Sequence, residues 1–173
     1  MATNLKTYDP SQVVIILEKG GQSHIIVGVS EGTIVTVDRA GDAFSESVGA
    51  YGDTTRIYNP IWDKANITIP LQQTSESNDV LNALFQTDVA ARNSDNLFSI
   101  TIKDTEGRSL HYGYEAYVAV KPNAAYGNTM NNREWVVRVN RLEDTIGGNS
   151  KVDAQLAATV ADFGGSIDSK WIN

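Results

Sequence analysis

Two histidines, one short acidic turn and one acidic run are the side chains in this 173-residue chain whose types and spacing could do chemistry. His24 and His111 fall in separate strand-like regions, and neither is half of a His-x-x-x-His pair, the spacing that puts two imidazoles on one helix face around a metal. Both read as structural or surface histidines. Asp104-Thr105-Glu106-Gly107 carries acidic groups spaced as in a calcium loop, but it lacks the remaining oxygen ligands and fits a hairpin turn better. No Gly-x-Gly-x-x-Gly follows a strand into a helix, and neither a Gly-Lys-Ser/Thr phosphate loop nor a Gly-x-Ser-x-Gly elbow can be read. A Ser, His and Asp brought together only by folding would leave no mark in the sequence. Asn66-Ile67-Thr68 matches a glycosylation triplet inside a strand pattern and is read as a chance match. The expectation is a protein that is not an enzyme, with no cofactor and no metal site.

Composition narrows the classes further. Cysteine is absent, which excludes disulfides, thiolate nucleophiles and cysteine metal sites. At 41% hydrophobic residues the chain suits one globular domain. No segment approaches the roughly 20 apolar residues that span a bilayer, and residues 1–12 lack the apolar run of a signal peptide, so a cytoplasm-like setting without membrane is expected. The net charge of -7 argues against tight nucleic-acid binding through phosphate neutralisation. Between Glu31 and Asp53 the acidic residues Glu31, Asp38, Asp42, Glu46 and Asp53 meet one basic residue, Arg39. Such a run is ordinarily a solvated face. Repeated around a ring it would line a hole with negative potential, with Arg56, Lys64, Arg133, Arg138 and Arg141 as complementary charge between subunits.

The elements that must position these groups are mostly strands. Apolar runs at 13–17 and 25–29 flank Gly20-Gly21, which permit a tight hairpin, and 33–38 gives a third strand. Residues 39–64 are polar and rich in glycine, yet they keep Phe44, Tyr51, Ile57, Tyr58, Ile61 and Trp62. Disordered segments are poor in aromatics, so a long hairpin with an extended tip is predicted. Ile67, Ile69 and Leu71 alternate with polar residues, and Pro70 suggests an edge or a bulge. Ser75 or Ser77 then caps a helix that ends near Arg92, with Leu81, Leu84, Phe85 and Val89 as its buried stripe. Strands follow with Phe98, Ile100 and Ile102 on one face; with Leu110, Tyr112, Tyr114, Ala116, Val118 and Val120 on another; and with Trp135, Val137 and Val139 on a third. Seven or eight strands and one helix suit a small sandwich or barrel. After a break at 145–150, Val152, Leu156, Val160 and Phe163 keep helical spacing, so a second short helix is expected there. Its apolar side would either pack back on the domain or dock on another subunit.

In chain order, Thr7-Tyr8-Asp9-Pro10-Ser11-Gln12-Val13, Asp42-Ala43-Phe44 with Val48-Gly49-Ala50, Leu71-Gln72-Gln73-Thr74-Ser75-Glu76-Ser77-Asn78-Asp79, Asn132-Arg133-Glu134-Trp135 and Gly147-Gly148-Asn149 form one pattern. That pattern resembles the tail tube proteins of contractile-tailed bacteriophages, the myovirus-type inner tube, related in architecture to secretion-system and bacteriocin tubes. The resemblance covers about residues 1–149, a tail-tube-like β-barrel domain, and leaves 150–173 as a C-terminal extension.

The resemblance implies a mainly β fold, a two-sheet antiparallel sandwich or barrel flanked by one α-helix. It also implies six subunits closing a ring, and rings stacked into a tube through which DNA is ejected without specific binding. The partners it implies are the chain itself and sheath, tape-measure and baseplate proteins, in a virion assembled in the host cytoplasm. Asp38, Asp42, Glu46 and Asp53 become the lumen-facing acids. Tyr51, Ile57, Tyr58, Ile61, Trp62 and Arg133 become inter-ring or inter-subunit contacts, and the N-terminal arm a subunit contact. Two other readings stand beside it. One is the tube of a headless contractile particle or secretion system; the other is a monomeric carbohydrate-binding β-sandwich stacking sugar on Tyr51, Tyr58 and Trp62.

Overall fold

The computed structural model describes residues 5–173. The first four residues of the N-terminal arm lie outside that range. Nine strands and two α-helices are described. β1 (Val13–Lys19) and β2 (Gln22–Ile25) form a hairpin across Gly20 and Gly21, whose φ values of +57° and +79° are those a two-residue primed turn needs. The second strand therefore stops at Ile25 instead of running on over residues 25–29. The chain bends at Gly28, φ +68°, before β3 (Thr36–Arg39).

The excursion expected at 39–64 is present as β4 (Phe44–Val48) and β5 (Thr54–Tyr58), an antiparallel pair followed by a 3-10 turn over Pro60–Asp63. β6 (Ala65–Leu71) alternates buried and half-buried side chains along its whole length. α1 (Ser77–Ala91) follows, and Arg92 closes it in the left-handed region at φ 53°. Of the predicted stripe, Leu81 is fully buried and Leu84 and Phe85 pack on the core, but Val89 is exposed. The helix outruns the sheet that covers its first half.

β7 (Phe98–Asp104), β8 (Leu110–Val120) and β9 (Arg133–Thr145) complete one seven-stranded antiparallel sheet in the order β2-β1-β7-β8-β9-β6-β3. Ile15, Leu17, Ile67, Ile69, Ile100, Trp135, Val137 and Val139 form its single core with Leu81. β8 does not hold one face throughout. Glu115 takes φ 51°, the register against β7 slips there, and the buried positions move from Gly113 to Ala116 and Val118. Tyr112 and Tyr114 thus lie on the other face, edge to face at 4.5 Å.

The mainly β architecture with a flanking helix agrees with the expectation, but the sheet is not a closed barrel. Its ends are joined by residues 26–30 instead of a ladder. Ile26 N donates to Ile15 O of β1 (2.8 Å), while Gln72 N donates to Gly28 O (2.8 Å) and Ser30 N to Pro70 O (2.9 Å) at β6. Pro70 accordingly lies in a strand with neighbours on both sides, not at an edge, and β3 ends its pairing at Thr68, before the proline. α2 (Ala154–Asp162) lies in the extension with none of its residues buried.

Candidate assembly surfaces

The signature around Ser75 builds a buried clamp. Ser75 Oγ donates to Val27 O and accepts from Ser77 N, while Ser77 Oγ accepts from Val27 N and lies 2.9 Å from His24 Nε2. Asn78 Nδ2 donates to the carbonyls of Gln72 and Ser75, and its Oδ1 accepts from Trp135 Nε1, each at 2.9 Å. A Cβ on Gly28 would sit 2.7 Å from Ser75 Cβ, so glycine is required both by its φ and by this contact. His24 and Ser77 are a hydrogen-bonded pair, but Ser77 is fully buried and cannot reach a substrate. The segment is a fastener between helix, bridging segment and sheet.

His111 is elsewhere, with Nδ1 3.5 Å from Asp144 Oδ2. Asp104 Oδ1 accepts from Glu106 N and Asp104 O from Gly107 N, so this acidic stretch is the hairpin turn its sequence suggested. Asn66 Oδ1 accepts from Arg138 Nε at 2.8 Å within the sheet. Among the described residues no cluster of three or more His, Asp or Glu forms a candidate metal site.

The four acids lie in different elements. Asp38 is in β3, opposite Asn66; Asp42 is in the connection to the hairpin; Glu46 is in β4, directly opposite Arg56; Asp53 is at the tip. All four are exposed. Glu46 shares its hairpin face with Phe44, Arg56 and Tyr58, and there the Arg56 guanidinium lies 4.4 Å from the Phe44 ring centroid. Glu46 thus faces a cross-strand neighbour of opposite charge whose guanidinium rests on the Phe44 ring.

The hairpin is where apolar surface collects. All ten strand residues of β4 and β5 are exposed. Tyr51 is 98% exposed at the tip, and Phe44, Val48, Ile57, Tyr58 and Ile61 are each at least 45% exposed. Tyr58 packs edgewise on Phe44 at 5.9 Å and donates its hydroxyl to Asp63 Oδ1 at 3.1 Å. That bond to a carboxylate holds the phenol pKa above its ordinary value. Trp62 is half-buried at the base, with the Arg39 guanidinium over its ring at 4.5 Å. Arg133 is half-buried at the start of β9, far along the sequence from the hairpin.

Arg39 escaped the sequence reading, which saw only the one base in an acidic run. Its Nη1 donates to Trp62 O (2.8 Å) and Leu142 O (3.0 Å), and its Nη2 pairs with Asp144. In the extension, Val152 is buried and bridges in parallel to Ile172. Arg108 ties this module to the turn between β7 and β8, 5.6 Å from the Trp171 ring centroid. Phe163, at 87%, and Leu156, at 48%, are exposed while Ala157 and Val160 are half-buried, so the apolar residues at helical spacing do not form one buried stripe.

These features define a class: a small antiparallel β protein whose unpaired apolar groups stand on a hairpin outside the sheet instead of around a pocket. Residues 6–147 match the family model described as Bacteriophage PhiTE tail tube protein, and the chain belongs to that family. It is 42% identical over 174 residues to "Structural protein ORF10" of Pseudomonas phage KPP10, covering 99% of this chain and all of that one. Among solved structures it is similar to the tube-terminating cap of the anti-feeding prophage, at 14% identity and TM-score 0.48, covering 84% of this chain and 95% of that one. It is also similar to a sheath/tube terminator of the PVC extracellular contractile injection system, at 13% identity and TM-score 0.48, covering 83% and 100%.

Proposed function

We propose that the chain is the repeating subunit of the inner tail tube of a contractile phage tail, closing into hexameric rings that stack around a DNA conduit. The observation that carries this is the β4–β5 hairpin, an antiparallel pair with no strand residue buried in its own protomer, which holds five large apolar side chains in the open and a sixth, Ile61, in the turn that follows. A monomer gains nothing from such a hairpin, whereas a neighbouring ring can cover it. The free edges of β2 and β3 supply the second requirement, since unpaired edges serve a subunit that pairs with its neighbours. Head-to-tail contacts that do not close along an axis give a filament.

In this reading Tyr51, Ile57, Tyr58 and Ile61 are inter-ring contacts, Trp62 supports them from the base, and Arg133 serves the subunit boundary. Asp38, Asp42, Glu46 and Asp53 are lumen acids that repel phosphate so that DNA slides without sticking. Residues 1–149 form the tube domain and 150–173 an extension. Sheath, tape-measure and baseplate proteins are the partners, and the protein needs no catalytic or cofactor chemistry. The tube of a headless particle would use the same contacts. The sugar-binding reading fares less well, because Tyr58 leans on Phe44 and one face of Trp62 carries Arg39.

The test is sedimentation of the purified full chain across a concentration series, beside the double variant Y51D/I57D. The parent should grow into large particles while the variant stays small with an unchanged melting temperature. Equal growth of both would remove the hairpin from the assembly contact.

A further inference from the structure

The hairpin shares no ladder with the seven-stranded sheet, so its direction is decided where it leaves the domain. Ala40 N donates to Lys64 O at 2.9 Å, which closes the neck but does not orient it against β9. Arg39 supplies that orientation. Its side chain is only 14% exposed, and one planar group meets both limbs of the problem. On the returning limb it bonds Trp62 O and covers the Trp62 ring; on β9 it bonds Leu142 O and the Asp144 carboxylate. His111 of β8 stands beside the other oxygen of Asp144, its Nδ1 3.5 Å away and without a hydrogen bond to it. A guanidinium can serve two carbonyls, a carboxylate and an aromatic face together; an ammonium on a flexible stem cannot. Nearby, Gly41 lets the Ile61 side chain pack on the outgoing backbone, where a Cβ would come within 2.8 Å of Ile61 Cγ2.

We propose that Arg39 is a positioning residue for assembly, a latch with Asp144 and Trp62 that sets the angle at which the hairpin is offered to a second copy of this chain. The consequence for assembly rests on the tube reading; the latch geometry does not.

Both parts are tested in the full chain, which contains no cysteine and so accepts a clean spin-label pair at D53C and N93C. The parent should give a narrow distance distribution. R39K and D144N, which keep the volume of the site, should fold to the same circular dichroism spectrum yet broaden that distribution about twofold. Without the labels, they should need about tenfold more protein to form tubes, the equivalent of about 1.4 kcal/mol per contact. A residue that only stabilises the fold would lower the melting temperature and leave the distribution of folded molecules narrow. An unchanged distribution in folded R39K and D144N overturns the latch, and tube formation at the parental concentration despite a broadened distribution overturns its role in assembly. If the parent forms no tubes, the tube reading fails while the label distances still decide the latch.

Discussion

Asn78 shows what the signature segment is for at the scale of one side chain. It holds two carbonyls and the indole of Trp135 while only 5% exposed, so Asn78→Ala leaves Trp135 Nε1 without its partner and takes a second donor from the carbonyls of Gln72 and Ser75, which keep the backbone N–H groups of Ser75 and Asn78. A loss of about 1–3 kcal/mol is expected, read from urea unfolding at constant slope. Gly28→Ala should cost about 1–3 kcal/mol in the same assay, because it meets both a left-handed φ and the Ser75 side chain. Tyr58 gives a pH prediction. Its hydroxyl donates to Asp63, which favours the neutral phenol, so the contribution is fully present below the unfolded pKa and is lost as pH rises through the raised folded value. The ultraviolet difference titration of parent minus Y58F should therefore lie above that of D63N minus D63N/Y58F. Coincident curves would show that the hydrogen bond is not made. The role of Arg39 is not legible in the sequence, since its partners Trp62, Leu142 and Asp144 lie 23, 103 and 105 residues ahead.

At the scale of elements, legibility followed periodicity. β6 alternates along its whole length and β9 as far as Val139, so Ile67, Ile69, Leu71, Trp135, Val137 and Val139 are readable as core, and α1 announces itself by its spacing and by the cluster that precedes it. In β8 the alternation places Ala116 and Val118 on the core face but misplaces the residues up to Tyr114, because a positive φ at Glu115 reverses the faces and a bulge at a non-glycine residue leaves no compositional mark. The barrel failed to close for a related reason: Gly28 turns the chain out of the ladder, and only its neighbour Ser75, distant in sequence, shows why. The extension behaves as a separate element. α2 buries none of its residues, and Arg108 with Val152 makes its attachment. A chain ending at residue 149 should keep the sheet and lose less than about 2 kcal/mol in urea unfolding. A larger loss would make residues 150–173 part of the same cooperative unit.

At the scale of the whole molecule, the fold separates two tasks. One core holds the sheet and helix together, and a hairpin that adds nothing to that core holds the apolar surface. That division is what a repeating subunit requires, because assembly can be tuned on the hairpin without disturbing the core. The acidic surface is the second global property. Replacing Asp38, Asp42, Glu46 and Asp53 together by Lys should leave rings intact, since none is buried, and should slow DNA delivery by particles carrying the variant. Unchanged delivery would remove these residues from the lumen. Every role proposed for this chain depends on assembly, and negative-stain electron microscopy of the purified full chain across a concentration series decides it. Hollow tubes or sixfold rings of one width should appear above a threshold concentration; featureless monomers at every concentration, even with a nucleating baseplate fraction added, would overturn the tube.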